Sequence, residues 1–403
     1  MTSSPVPVWP GAPARVPAAQ DSEIRGWELI RCKLAARLDR LLRWEYWPAW
    51  AIYLPLIPYI CYLAIRYRGI TTCALANPSI PLSGLVGESK WDILRLLPED
   101  AVVPATLLRP AALHERTAAL DSTMRDGAWC WPVILKPDVG ERGKGVRLVR
   151  NADEARRYLE QHPDATIAQA FDPGPCEAGV FYVRSPAEPS GRIFSITDKR
   201  FPTVTGDGVS SIRTLVWRHP RHRAQAGVFL GDPGVDMGRV PPRGERVALG
   251  FMGNHCRGSM FLDGAALITP ELTAAIDAIA KRTPGFHFGR FDIRYSSVRS
   301  FKAGRDFRIV ELNGLSSEST NIYDPRTGFL RAQAVLREQW RWAYLIGHTL
   351  LKRGLRKPAW SELPLPRRRR SPGATAPPKA ERRAPGAPAA PTPTGSSHGP
   401  NQP

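Results

Sequence analysis

The sequence has few of the residues that build disulfide frameworks and zinc sites. Its six cysteines, at 32, 61, 73, 130, 176 and 256, contain no CxxC pair. Neither a disulfide-stapled scaffold nor a zinc ribbon is expected, and a reducing compartment suits such a set. Residues 1–20 are rich in Pro and Ala and lack an apolar run with a small-residue cleavage site, so a secretory signal is not expected. Two phosphate-binding signatures are also missing. A P-loop needs GxxxxGK[ST] feeding a helix, and a dinucleotide fold needs GxGxxG. Here Gly143-Lys144-Gly145 runs into Val146, without a hydroxyl, and GxGxxG is absent. No internal repeat is seen.

Acidic residues are in deficit: 37 Asp+Glu face 56 Lys+Arg, a formal net charge of +19. That favours anionic partners. Part of the excess is local, because eight basic and two acidic residues lie between Lys357 and the end. With no helix-turn-helix, OB or RRM pattern, specific nucleic-acid binding is not expected.

The length allows two or three domains. Residues 1–21 and 356–403 have the composition of disordered segments, and the arginines at 367–370 read as part of a solvated tail. Residues 22–69 form a distinct block. Trp27, Ile30, Leu34, Leu38 and Leu41 recur at helical spacing among Arg31, Lys33, Arg37, Arg40 and Arg43, a basic amphipathic helix suited to a membrane surface. Residues 46–65 carry no charge and are long enough to span a bilayer, but Pro48, Pro55 and Pro58 interrupt them. A spanning helix, an interface-lying anchor and a buried apolar segment all remain open. Residues 70–130 read as a linking region and 131–355 as the main α+β domain, with strands at VILKP, VRLVR, TIAQAF, GVFYVR, GRIFSIT, GRFDIRY and FRIVELN and helices at 270–282 and 327–351.

In PVILKPDVGERGKGVRLVR (132–150), an apolar run ends at Lys136. Gly140, Gly143 and Gly145 then alternate with Arg142 and Lys144. The flanking runs predict a hairpin whose glycine backbone can approach phosphate oxygens, with Lys136 as a point charge. An ordinary glycine-rich hairpin has the same local pattern. Further on, Asp292 lies in HFGRFDIRY, and Glu311 and Asn313 lie two apart in FRIVELNG, on one strand face. These hard oxygens suit Mg²⁺, and acids in apolar strands need a cation or hydrogen bonds. Lys199 ends a strand before a Gly-Asp-Gly turn, and Ser210 is expected to cap the next helix. His219 and His222 are expected in an exposed basic loop, and His255 in a structural role.

The ordered set of Lys-ending strand, glycine flap, IAQAF, acid, strand lysine, Arg-x-Asp and Glu-x-Asn resembles the ATP-grasp superfamily. Within it the chain is similar to D-alanine–D-alanine ligase and related carboxylate–amine ligases over roughly residues 77–325. TGDGVSSI also resembles peptide-forming amide ligases such as cyanophycin synthetase. The resemblance implies an α+β ATP-grasp fold, two subdomains clamping ATP. It implies that Lys90, Lys136 and Lys199 contact phosphates under a flap of Gly140, Gly143, Lys144 and Gly145. Gln169, Ala170 and Phe171 would form the adenine hinge, read mostly through backbone, and Glu177 would hold the ribose. Asp292, Glu311 and Asn313 would hold one or two Mg²⁺ (or Mn²⁺), and Arg290 would stabilise the transferring phosphoryl group. Arg257 and Ser317 would lie on the substrate side.

The expected function is an ADP-forming ligase joining a small carboxylate to an amine through an acyl phosphate, in the cytoplasm and at the inner face of an anionic membrane. An ATP-grasp kinase and a membrane-associated ATP-binding protein without turnover are the alternatives. The βαβ unit that precedes the domain in D-alanine ligases is missing, so that narrower activity is not expected.

Overall fold

A computed structural model describes residues 23–85, 87–140, 143–231 and 234–358. All of them fall within one compact unit, whereas 365–403, grouped separately, lies outside the described residues. The tails expected to be disordered also lie outside, except that residues 356–358 are described and Lys357 donates to the Arg68 carbonyl.

The alternating apolar runs become antiparallel sheets. β1 (Ala105–Leu108), β2 (Val133–Pro137), β3 (Arg147–Val149) and β4 (Thr166–Ala170) pair in the order β1-β4-β2-β3. The next strands are β5 (Cys176–Val183), β6 (Arg192–Arg200), the short β7 (Thr203–Thr205) and β8 (Arg246–Ala248), β9 (Met260–Asp263), β10 (Phe288–Tyr295) and β11 (Phe307–Asn313). Five of them pair as β11-β10-β5-β6-β9, and β7 and β8 form a separate two-stranded sheet. This is the α+β class expected. The chain passes from one large sheet to the other between β4 and β5.

The period of two explains why β5 is apolar throughout. Val180 and Tyr182 join a core with Leu272, Ile276 and Ala280 of the helix Pro270–Arg282. Phe181 and Val183 pack on the other face with Ala343, Ile346 and Leu350 of the helix Phe329–Lys352. A strand covered on both faces reads as a continuous apolar run. The helix Pro270–Arg282 has its stops in the sequence: Thr269 accepts from the Leu272 N–H, proline follows, and Lys281 and Arg282 close the last turn.

The uncharged segment is helical over Ala49–Arg66. Pro55 and Pro58 sit in first turns, where no amide hydrogen is required. One face packs inward: Ile52 and Leu56 against Ala332 and Leu336, and Leu63 near Ala343 and Ile346. The other is exposed. The amphipathic helix spans Gly26–Leu42, and its apolar stripe is also exposed.

Two expectations are corrected. Arg221 and His222 are buried, with the His219 ring stacked on His222, because Arg221 pairs with a buried acid and the His222 ring reaches the Thr203 carbonyl. Ser211, and not Ser210, caps the helix Ile212–Arg218, since its hydroxyl accepts from the Thr214 N–H while Asp207 accepts from the Ser210 N–H.

Candidate active site

β2 and β3 form the expected hairpin, paired from Val133↔Val149 to Leu135↔Arg147. Gly143 and Gly145 have φ of 69° and 78°, the left-handed region that glycine enters without strain. The Gly145 carbonyl accepts from the Tyr158 hydroxyl at 2.7 Å, and the Gly143 carbonyl accepts from Arg257 at 3.3 Å. Gly140 is partly buried and Lys144 exposed, while residues 141 and 142 lie outside the described residues.

At the end of β2, Lys136 is buried and donates to the Gln169 side chain at 2.9 Å. Burial pushes its pKa down to about 8, against the attraction of Glu311. Lys90 opens a short helix capped by Ser89. Asp138 holds that turn, accepting from the Ser89 hydroxyl at 3.0 Å and the Trp91 amide at 2.8 Å. Lys90 pairs with Glu311. Burial opposes its charge, yet the neighbouring carboxylate raises its pKa overall.

The facing strands bring the acids together. Asp292 and Glu311 are register partners, as are Arg290 and Asn313. Lys199 reaches Asp292 and Glu177 at 2.9 Å each. Arg290 reaches Asp292 at 2.9 Å and donates to the Glu318 carbonyl at 3.0 Å. The Asn313 amide donates to Asp292 at 3.3 Å. Burial works against ionisation of Asp292 and Glu311, but Arg290 with Lys199, and Lys90 with Lys136, hold the two acids below the usual carboxylate range. Both are therefore anionic donors at neutral pH. Gly179, opposite Asp292 on β5, makes room: a Cβ there would lie 3.0 Å from Arg290 Cδ.

Lys90, Lys136, Lys199 and Arg290 thus gather with Asp292, Glu311 and Asn313 where the two sheets meet. No group of three His, Cys, Asp or Glu forms a metal cluster among the described residues. Two ionised carboxylates and an amide oxygen still fit Mg²⁺, which takes few protein ligands and is completed by phosphate oxygens.

Other expected positions sit differently. β4 is an inner strand, so the Gln169 backbone pairs with both Ala105 and Ile134, and the Ala170 amide donates to the Pro104 carbonyl. The Gln169 backbone and the Ala170 amide are thus already engaged within the sheet. Both oxygens of Glu177 are engaged, by Lys199 and by Arg294 at 3.0 Å. The Ser317 hydroxyl donates to the Gly314 carbonyl at 2.5 Å and is buried.

Sequence reasoning missed Arg294, although Arg290, Asp292 and Arg294 alternate on one face of β10. Arg294 also donates to the Gly174 and Phe251 carbonyls. With it, five cations lie among Asp292, Glu311 and Glu177, and the carboxylates of Glu318 and Glu88 also act on Arg290 and Lys90. Also missed were Glu318, which accepts from Tyr53 and Tyr323, and buried Glu45, which holds Arg221 at 2.9 and 3.0 Å and His255 at 3.2 Å. Burial raises the Glu45 pKa, but the His255 and Arg221 contacts lower it overall.

No family model matches the chain, and no curated protein matches it. Among solved structures it is similar to a bifunctional glutathione synthetase from Pasteurella multocida, with 17% identity and a TM-score of 0.33, over 60% of this chain and 34% of that one. It is similar to a D-alanine–D-alanine ligase from Bacillus anthracis, with 13% identity and a TM-score of 0.36, over 66% and 68%. A third is the VanG D-Ala:D-Ser ligase from Enterococcus faecalis, with 15% identity and a TM-score of 0.35, over 62% and 61%. The chain thus spans about a third of the length of the glutathione synthetase. At these scores the likeness carries no argument about fold or substrate.

Proposed function

We propose that the chain is an ATP- and Mg²⁺-dependent ligase that joins a small carboxylate to an amine, forming ADP and phosphate. The observation that carries this reading is the gathering of Lys90, Lys136, Lys199 and Arg290 around Asp292, Glu311 and Asn313 where the two sheets meet. Converging cations beside ionised hard-oxygen donors suit a metal-bound polyphosphate.

The substrate carboxylate attacks the γ-phosphorus and the bond to the bridging β-γ oxygen breaks, giving an acyl phosphate and ADP. The amine attacks the acyl carbon, the bond to phosphate breaks, and the amine's proton ends on the departing phosphate. Lys136 and Lys199 hold and orient phosphate oxygens, and Arg290 meets charge that develops on the transferring group. Asp292, Glu311 and Asn313 would hold Mg²⁺, which supplies charge neutralisation at the β- and γ-oxygens when bound. The flap, tied through Gly143 to Arg257, excludes water so that the acyl phosphate meets amine first.

The test is ADP and phosphate release by the full chain with Mg²⁺ and pooled carboxylates and amines, followed by mass spectrometry of the product. Amide formation that Asp292→Asn lowers by about 10²–10³ is the expected result. A phosphorylated product without an amide would make the chain a kinase. ATP binding with no turnover in any pool would favour a non-catalytic role.

A further inference from the structure

Two apolar stripes play no part in this site. On the helix Gly26–Leu42, Trp27, Ile30, Leu34, Leu38 and Leu41 are all exposed, Trp27 and Leu41 each to 70%. The helix is held to the protein by other positions: buried Ala36, Glu28 paired with Arg218 at 2.8 Å, and Asp39 paired with Arg223 at 2.7 Å. On the helix Ala49–Arg66, Trp50, Leu54, Ile57, Cys61 and Ile65 follow one another at helical spacing and are all exposed, Ile65 to 83%. Its opposite face is the one buried on the helix Phe329–Lys352. The two helices are joined where the Trp47 indole donates to the Leu41 carbonyl at 2.8 Å. Isolated exposed apolar side chains are ordinary, but two successive stripes of this length mark an interaction surface.

Charge decides the partner. Arg31, Lys33 and Arg37 lie beside the first stripe and Arg66 and Arg68 at the end of the second. All are exposed, and none makes a salt bridge among the described residues. The acids of the first helix, Glu28 and Asp39, are already neutralised by arginines. The surface thus offers large apolar side chains, tryptophans at 47 and 50, and unpaired cations, which complement an anionic lipid interface. A span is disfavoured, because the inner face packs on a helix whose Arg337 lies over the Tyr59 ring at 5.9 Å. A crossing would draw that charge toward hydrocarbon.

We propose that the exposed faces of Gly26–Leu42 and Ala49–Arg66 form one monotopic docking surface for an anionic bilayer, with the second helix lying in the interface. This does not depend on the ligase reading.

The test is co-sedimentation of the full chain with phosphatidylcholine vesicles, with and without about one third phosphatidylglycerol. Binding should require the anionic lipid and weaken with salt. Replacing Arg31, Lys33 and Arg37 by glutamine should lower partitioning about five-fold per charge. Trp50→Glu with Leu54→Glu and Ile57→Glu should abolish it, while the cooperative thermal melt stays close to that of the wild type, showing an intact fold. The proposal is overturned if the wild-type chain stays in the supernatant with anionic vesicles. It is also overturned if the chain is a dimer that these glutamates dissociate, since a second copy would then cover the face, or if it resists alkaline carbonate extraction from membranes, as a spanning helix would.

Discussion

Lys136 permits a test that separates a phosphate-binding lysine from a structural one. Its ammonium is buried against Gln169, and its pKa in the folded chain is about 8 instead of the ordinary 10.5. Between these values the unfolded chain holds a proton that the folded chain has released. Stability therefore rises with pH across the window from about 8 to about 10.5, by about 3 kcal/mol in all. ATP reverses the trend, because phosphate oxygens need the charged form. ATP affinity should fall about tenfold per pH unit above about pH 8, until the higher pKa of the bound state is reached. The assay is denaturant unfolding of the wild type and of Lys136→Met from pH 7 to 10.5, alongside calorimetric ATP titration. Tyrosines and Cys73, whose pKa values burial pushes up, titrate in both proteins and cancel in the difference. Glu311 titrates far below the window and Lys90 above it. The wild type should gain on the variant as pH rises, and Lys136→Arg, which stays charged, should lose the alkaline fall in ATP affinity. A flat difference in stability, or an unchanged alkaline limb in the arginine variant, would refute the reasoning.

Asp292→Asn leaves buried Lys199 and Arg290 short of a counter-charge. It should cut kcat by about 10²–10³ and lower stability by about 3–5 kcal/mol, read from turnover and denaturant unfolding. Gly179→Ala presses a methyl on Arg290 and should reduce kcat more than it changes Tm. Ser317→Ala removes a hydroxyl bound to its own turn, so it should cost about 1 kcal/mol of stability with KM nearly unchanged. Arg257→Ala frees the flap at Gly143 and should raise the share of uncoupled ATP hydrolysis, measured as phosphate released per amide formed.

What the sequence showed depended on how far apart the interacting residues lie. The strands of the large sheets that carry the main motifs, and the helix Pro270–Arg282, were legible because period, caps and breakers are local. The gathering of Lys136, Lys199, Asp292 and Glu311 was legible as an ordered motif. Its internal pairing was not, since which lysine meets which acid is fixed by register between strands distant in the chain. Arg294 shows the limit: its alternation with Arg290 and Asp292 was visible, but its partner Glu177 lies on β5. The pairing of the β4 backbone was hidden for a related reason. Nothing local in TIAQAF says that β4 is flanked on both sides, and that flanking is what commits the Gln169 and Ala170 backbone.

The amino-terminal block was read as separate from the catalytic region, with a boundary near residue 70, and its contacts argue otherwise. Glu45 is the bidentate partner of buried Arg221 and also meets the His255 ring at 3.2 Å. Tyr53 donates to Glu318, whose carbonyl holds Arg290. Ile52 and Leu56 cover Ala332 and Leu336. A chain starting at residue 70 would leave Arg221 buried without its acid, at a cost of about 3–5 kcal/mol before the lost apolar cover is counted, which is comparable with the stability of a whole domain. Such a truncation should be insoluble or lack a cooperative melt. Glu45→Gln in the full chain should lower Tm while leaving MgATP binding measurable. A soluble 70–358 fragment melting at the wild-type temperature would show that the block is an appendage, and the one surface we assign to lipid would then be mechanically uncoupled from the site.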